Sequence, residues 1–155
     1  MALTQDGWFN DTMIKALSND IALDLGDTTP GVFKAALYEE SVTPDFSQVN
    51  PAYGVAPLNS GESSGPGYTA GGADLTVVSF AELAGAANKL GWKFSPVSWT
   101  ESTIDAAGLL IYVPSLSSRA VLMRFLGQTY STADGTFSIT FHSDGVWRQV
   151  LRATP

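Results

Sequence analysis

Residues 67–76 read GYTAGGADLT, with three glycines in six positions. A glycine-rich loop cradles phosphate when a Lys-Ser/Thr pair and a helix N-terminus follow its last glycine. Here Gly72 is followed by Ala73 and Asp74 and then by a strand-like run. Asp74 would repel an anion, and the spacing G-x-G-x-x-G is missing. The pattern predicts a backbone corner, because Gly71 and Gly72 permit positive φ just before a strand.

Gly61-Glu62-Ser63-Ser64-Gly65 matches the nucleophile pattern G-x-S-x-G letter for letter. A nucleophile elbow needs a strand before its serine and a helix after it. Pro57 lies upstream and Pro66-Gly67 downstream, so that context fails and Ser63 is not expected to attack anything. His142 is the chain's one histidine, and it falls on the polar face of an alternating strand. With one histidine and no cysteine, a transition-metal site is not expected. Asp20, Asp24 and Asp27 do not have the spacing of an EF-hand loop. Glycoside hydrolysis needs two carboxylates across a cleft; Glu82, Glu101 and Asp105 are candidates, but nothing in the sequence pairs them. Trp92, Trp99 and Trp147 fall in predicted strands. They suit a core or an interface better than a platform for sugar rings. The expectation is a protein that is not an enzyme and holds no cofactor and no metal.

The elements that carry these residues follow from composition and pattern. The chain has 155 residues, enough for one domain, 1–155. Charged residues make up only 15% and the net charge is −7. A basic face for nucleic acid is therefore not expected. Residues 1–75 carry two basic and ten acidic residues, and residues 76–155 carry six and five. The acidic half suits a solvated surface or a basic partner. No apolar run is long enough to span a membrane. The opening MALTQDGWFND lacks the basic and apolar regions of a signal peptide, so none is expected there.

Phe9, Met13, Leu17 and Ile21 recur every four residues, which predicts an amphipathic helix over about 8–23. Asp6 is placed to cap it, and Gly26 and Pro30 bracket its exit. Residues 32–39 read as a strand. Residues 40–72 hold four prolines and have no periodicity, which predicts a long irregular loop. Its rings, Phe46, Tyr53 and Tyr68, argue for a loop ordered by lying on something. From 73 to 152 the chain reads as β. Leu75–Phe80 is a strand, residues 80–90 allow a helical turn, and short strands follow at 92–94 and 97–100. Residues 109–113, LLIYV, are a strand buried on both faces. Residues 120–126 are another. In GTFSITFH, residues 135–142, apolar and polar side chains alternate between Asp-Gly turn pairs. Residues 146–151 close the series. The fold class expected is mainly β: a single-domain antiparallel β-sandwich or barrel with one N-terminal amphipathic helix.

Beyond this reading of residues, the order of motifs resembles a family of small tailed-bacteriophage virion proteins. It runs from an N-terminal helix through VFKAALYEES and a threonine-proline loop to GPGYTAGGADLT. It continues with VSWTESTIDAAGLLIYV and a closing hairpin like ADGTFSITFHSDGV. Residues 80–90 and 114–119 depart from the pattern. The resemblance implies a non-enzymatic structural component of the virion, made in the bacterial host cytoplasm. The form it implies first is a capsid decoration (minor capsid) or head-fibre-like protein. A tail- or fibre-associated protein is the alternative, and a carbohydrate-binding module is an alternative of another class. It implies the major capsid protein or other virion proteins as partners, and a homo-oligomer with a trimer favoured. No nucleic acid and no membrane are expected. The candidate partner contacts are Trp8 and Phe9 in the N-terminal segment and Phe46, Tyr53 and Tyr68 in the loop. Deleting residues 41–66 is then expected to leave a folded domain that no longer binds capsids.

Overall fold

The computed structural model describes residues 3–85 and 88–151. Among the described residues the chain is mainly β, with all strand pairs antiparallel and one short α-helix. The elements are β1 (Gly7–Trp8), α1 (Asn10–Leu17), β2 (Phe33–Tyr38), β3 (Ala73–Leu75), β4 (Val77–Glu82), β5 (Lys89–Phe94), β6 (Val97–Ser102), β7 (Asp105–Val113), β8 (Arg119–Ser131), β9 (Gly135–Ile139) and β10 (Trp147–Val150). A five-stranded sheet has the order β1-β8-β7-β2-β3. A three-stranded sheet, β10-β5-β4, and a two-stranded sheet, β6-β9, complete the architecture.

The five-stranded sheet is apolar on both sides because its central strands are. Phe33, Ala35 and Leu37 of β2 share one cluster with Leu109, Ile111 and Val113 of β7. The smaller sheets cover that face through Trp92, Phe94, Trp99 and Phe137. The intervening residues, Ala36 and Tyr38 of β2 with Leu110 and Tyr112 of β7, share the second cluster. Side chains alternate across a strand, so a strand with no polar position needs a cover on each face. β7 meets that condition, as its apolar run predicts: every residue from Ala106 to Val113 is buried.

The second cover is the irregular loop. Val42 and Leu58 are buried against Tyr38, Leu110 and Met123, and Phe46 and Tyr53 pack on the same cluster. The Tyr38 hydroxyl donates to the Leu58 carbonyl at 2.7 Å. Backbone bonds from Tyr53 N–H to Ser118 O and from Ala120 N–H to Pro51 O sew the loop to the start of β8. The loop is thus ordered by its own sheet. This reverses the expectation that 41–66 is dispensable for folding. Val42 and Leu58 alone bury about 1.5–3 kcal/mol each, and the tyrosines beneath them would be bared. Removing residues 41–66 is expected to abolish cooperative unfolding. A chain lacking them with a sharp urea transition would contradict this packing.

The helix departs furthest from its expectation. It covers eight residues, and Trp8, expected inside it, lies in β1 opposite Leu122. Asn19 adopts φ 60° and ends it. Its N–H bonds Ala16 O, and the Asp20 N–H bonds Lys15 O, the paired bonds of a Schellman stop. Asp6 does not cap the helix; it pairs with Arg124, and Phe9 occupies the N-cap with no side-chain bond. The inward residue is Thr12, whose hydroxyl donates to Ala120 O at 2.7 Å. Leu17, on the expected apolar stripe, is 81% exposed.

Other boundaries differ: β7 and β8 run longer than the expected 109–113 and 120–126, and β9 ends at Ile139. The run read as one strand over 75–80 breaks at Thr76: β3 pairs with β2, while β4 pairs with β5. The chain passes there from one sheet to another. The stretch 80–90 divides between β4, a turn and β5. Ala86 and Ala87, where a helical turn was allowed, lie outside the described residues.

Candidate functional site

A dense polar cluster is built where the loop returns to the sheet. Glu62 bridges to Tyr38, which places its carboxylate over the loop-covered face. The Tyr53 hydroxyl donates to Glu62 Oε2 at 2.8 Å. The Tyr68 hydroxyl and the Gly71 N–H donate to Oε1 at 2.9 and 2.7 Å. Tyr68 also accepts the Leu37 N–H at 2.9 Å. Tyr112 donates to Gly71 O at 2.9 Å, and its ring stacks on Tyr53 with centroids 4.7 Å apart. One carboxylate thus joins the loop, the glycine corner and β2, with β7 tied in through Tyr112.

The corner itself obeys the sequence. Gly71 and Gly72 have φ of 90° and 73° and lead into β3. An added Cβ on Gly72 would overlap the Ala35 carbonyl of β2. The Gly71 N–H faces a protein carboxylate and the Gly72 N–H bonds Thr69 O, so the loop functions as a strut of the fold.

Burial raises the phenol of Tyr38 far above its ordinary value, and the negative charge of Glu62 adds to the effect. Burial also leads for Tyr53, where Glu62 adds a hydrogen bond and its charge. For Tyr68 burial again raises the value, the Leu37 N–H opposes it, and Glu62 raises it further. Tyr112 is raised by burial, then by Glu62 and Asp74. At neutral pH all four are protonated donors, and such phenols are poor bases. The stability they contribute through protonation is whole below the unfolded tyrosine value of about 10 and is lost as pH rises above it. Each tyrosine held protonated costs the fold about 1.4 kcal/mol per further pH unit. The tyrosinate absorbance of these four is expected to appear in one cooperative step above pH ~10, together with loss of near-ultraviolet circular dichroism. Gradual ionisation of these tyrosines in a folded chain would contradict the cluster.

The other groups singled out by spacing are scattered or engaged. Ser63 is buried and its hydroxyl donates to Asp105 O at 2.6 Å. His142 is exposed and accepts the Asp144 N–H through Nδ1. Glu82 accepts the Asn88 N–H at 3.2 Å, and Glu101 sits at φ 50° on a bulge of β6. No group of three or more metal-ligating side chains occurs among the described residues. Trp92 and Trp99 are buried in the core and Trp147 is half-buried. The Trp92 Nε1–H donates to Leu25 O.

The five rings proposed for partner contact make their ring contacts within the chain. Phe9 is fully buried and tilts against Phe46. Trp8 stacks on Trp92 at 5.4 Å and meets Trp147 edge-on. Tyr53 and Tyr68 belong to the Glu62 cluster. Their two segments do present apolar side chains outward, but different ones: Ile14 (62% exposed) and Leu17 on α1, and Val49 (71%) and Val55 on the loop. Sequence reasoning missed Glu62 because its partners come from residues six to nine positions away and from β2. Only their joint folding brings them together.

A second charged clamp fixes α1. Asp11 Oδ2 accepts from Arg119 and from the Asn50 N–H, each at 2.9 Å, and pairs with Lys15 at 3.0 Å. Burial would raise its carboxyl, yet these donors hold it below the usual range.

Comparison with family models, with curated proteins and with solved structures gives no match.

Proposed function

We propose that this chain is a non-enzymatic structural protein of a tailed-bacteriophage virion, most specifically a capsid decoration protein. It binds the major capsid lattice as a symmetric homo-oligomer. The observation that carries the reading is the role of GYTAGG, the most specific piece of the family resemblance. In this fold it is a strut, the Gly71 N–H spent on Glu62 and Gly72 wedged against β2. The mechanism is mechanical: a rigid domain that bridges neighbouring capsomers adds contacts that must break before the shell opens. The contacts move to the outward side chains of the two expected segments, Ile14 and Leu17 with Val49.

The test begins by separating heads from tails of the source phage and measuring this chain in each by mass spectrometry. Near-capsid abundance in heads is the expected result. Presence in tails alone would favour the tail- or fibre-associated reading. Absence from both would remove the virion reading. Leu17→Glu combined with Val49→Glu is expected to keep the fold and lose binding to undecorated heads. A sugar-binding module is the weaker reading here, since Trp92 and Trp99 are not on the surface.

A further inference from the structure

β9 is the outer strand of its sheet. On one side it pairs with β6, with Ile139, Ser138 and Phe137 opposite Val97, Ser98 and Trp99. Among the described residues no strand pairs with its other side. A groove of about 370 Å³, open to solvent, lies between β9 and the end of β8. Thr136, Ser138, Tyr130 and Ser131 help form its walls, with Leu126 and Phe137 also in its lining. None of the groove's lining residues is charged.

An open strand edge is a template for another strand, and proteins usually blunt it with a charge, a proline or a bulge. The run Gly135–Phe141 has neither charge nor proline. The extra residue of the bulge lies on β6, between Trp99 and Ser102, which leaves β9 regular. The sequence of β9 also specifies what would fit. Consider a two-fold axis through Ser138 with an antiparallel copy beyond it. Thr136 then faces Thr140, Phe137 faces Ile139, and Ser138 faces itself. Hydroxyl meets hydroxyl, apolar meets apolar, and no like charges oppose each other, which are the favourable cross-strand pairings. The faces agree as well: Phe137 is buried and Ile139 half-buried, while Thr136, Ser138 and Thr140 are exposed.

We propose that the open edge of β9 is a homodimer interface. β9 of one copy adds antiparallel to β9 of a second copy about a two-fold axis at Ser138. The product is a four-stranded β6-β9-β9-β6 sheet with one continuous hydroxyl face. This contact is isologous, so two copies close it and it does not build the trimer expected above. It stands apart from the virion reading and does not depend on it.

The chain has no cysteine, so a single introduced one reports a single contact. Directly opposed antiparallel residues have Cα atoms about 4.5–5.5 Å apart, within the span of a disulfide. The purified chain is expected to show a dimer mass by light scattering. Ser138→Cys is expected to form a disulfide-linked dimer on mild oxidation, while Ser60→Cys, on an exposed loop, stays largely monomeric in the same reaction, both read under non-reducing conditions. Ser138→Lys opposes two ammonium groups across the axis. It is expected to weaken dimerisation about tenfold or more with an unchanged far-ultraviolet circular dichroism spectrum. A monomeric or trimeric mass for the unmodified chain overturns the proposal, and so does Ser138→Cys cross-linking no faster than Ser60→Cys. An extended arm from another protein in the same groove would leave the isolated chain monomeric, and so falls among the results that overturn it.

Discussion

Gly72→Ala is expected to cost about 3–5 kcal/mol, enough to remove a large part of a typical domain's stability. Two terms add. Alanine at φ 73° pays about 1–2 kcal/mol for the left-handed region. Its methyl would also overlap the Ala35 carbonyl, which is backbone and has no side-chain rotation with which to yield. β3 must move off β2, and the ladder pairing Phe33, Lys34 and Ala35 with Leu75, Asp74 and Ala73 loosens at about 0.5–1.5 kcal/mol per bond. Gly54→Ala is the control. Gly54 has φ 80° with nothing within 4 Å of an added Cβ, so only the first term applies. Urea midpoints should separate the two variants clearly. Equal midpoints would mean that the corner is not wedged against β2.

Glu62→Ala is expected to cost roughly 3 kcal/mol, about 1 kcal/mol for each of the three donors left without an acceptor. Those donors are Tyr53, Tyr68 and the Gly71 N–H. The half-exposed setting lets water satisfy part of the loss, which keeps the figure at the low end of the usual range. Glu62→Gln keeps the size and one carbonyl acceptor, so it should fall between wild type and alanine. The charge makes a second, separable prediction. Glu62 is one cause of the raised values of Tyr38, Tyr53, Tyr68 and Tyr112. In Glu62→Gln burial still raises them, but the carboxylate no longer does. The tyrosines then ionise at lower pH, so the loss above pH ~10 keeps its slope but ends sooner and is smaller in total. An alkaline transition at the same pH in Glu62→Gln and wild type would remove Glu62 from the account, even if the neutral-pH cost appeared.

The strands were legible because their signals are local. β9 alternates between two Asp-Gly turns, and in the structure Asp134 and Gly145 do take positive φ. β7 is a continuous apolar run between polar ends. Gly71 and Gly72 announced a corner because only glycine tolerates that backbone without strain. The helix was misread for an equally local reason. Phe9, Met13, Leu17 and Ile21 have helical spacing, but Asn19 offers a left-handed stop before the third turn can form. Burial then chose Thr12, whose hydroxyl has a carbonyl to meet on β8. The loop was the hardest part. Val42, Leu58 and Tyr53 have no periodicity, and their partners on β2, β7 and β8 are set only by the tertiary fold. Glu62 is illegible for the same reason, since its donors Tyr53, Tyr68 and the Gly71 N–H meet it only in the folded chain.

The pairing of β1 with β8 has a consequence for how the molecule is assembled. Thr12 and Ala120, joined by a hydrogen bond, stand 108 positions apart in the chain. Contacts this distant must wait for a large entropic loop to close, and they slow folding. On a ribosome the first elements emerge long before the strand that receives them. Phe9, Thr12 and the loop rings therefore spend synthesis without their sheet. The N-terminal segment is expected to dock as a late step, and a chaperone that shields short apolar stretches would act on this part of the nascent chain first.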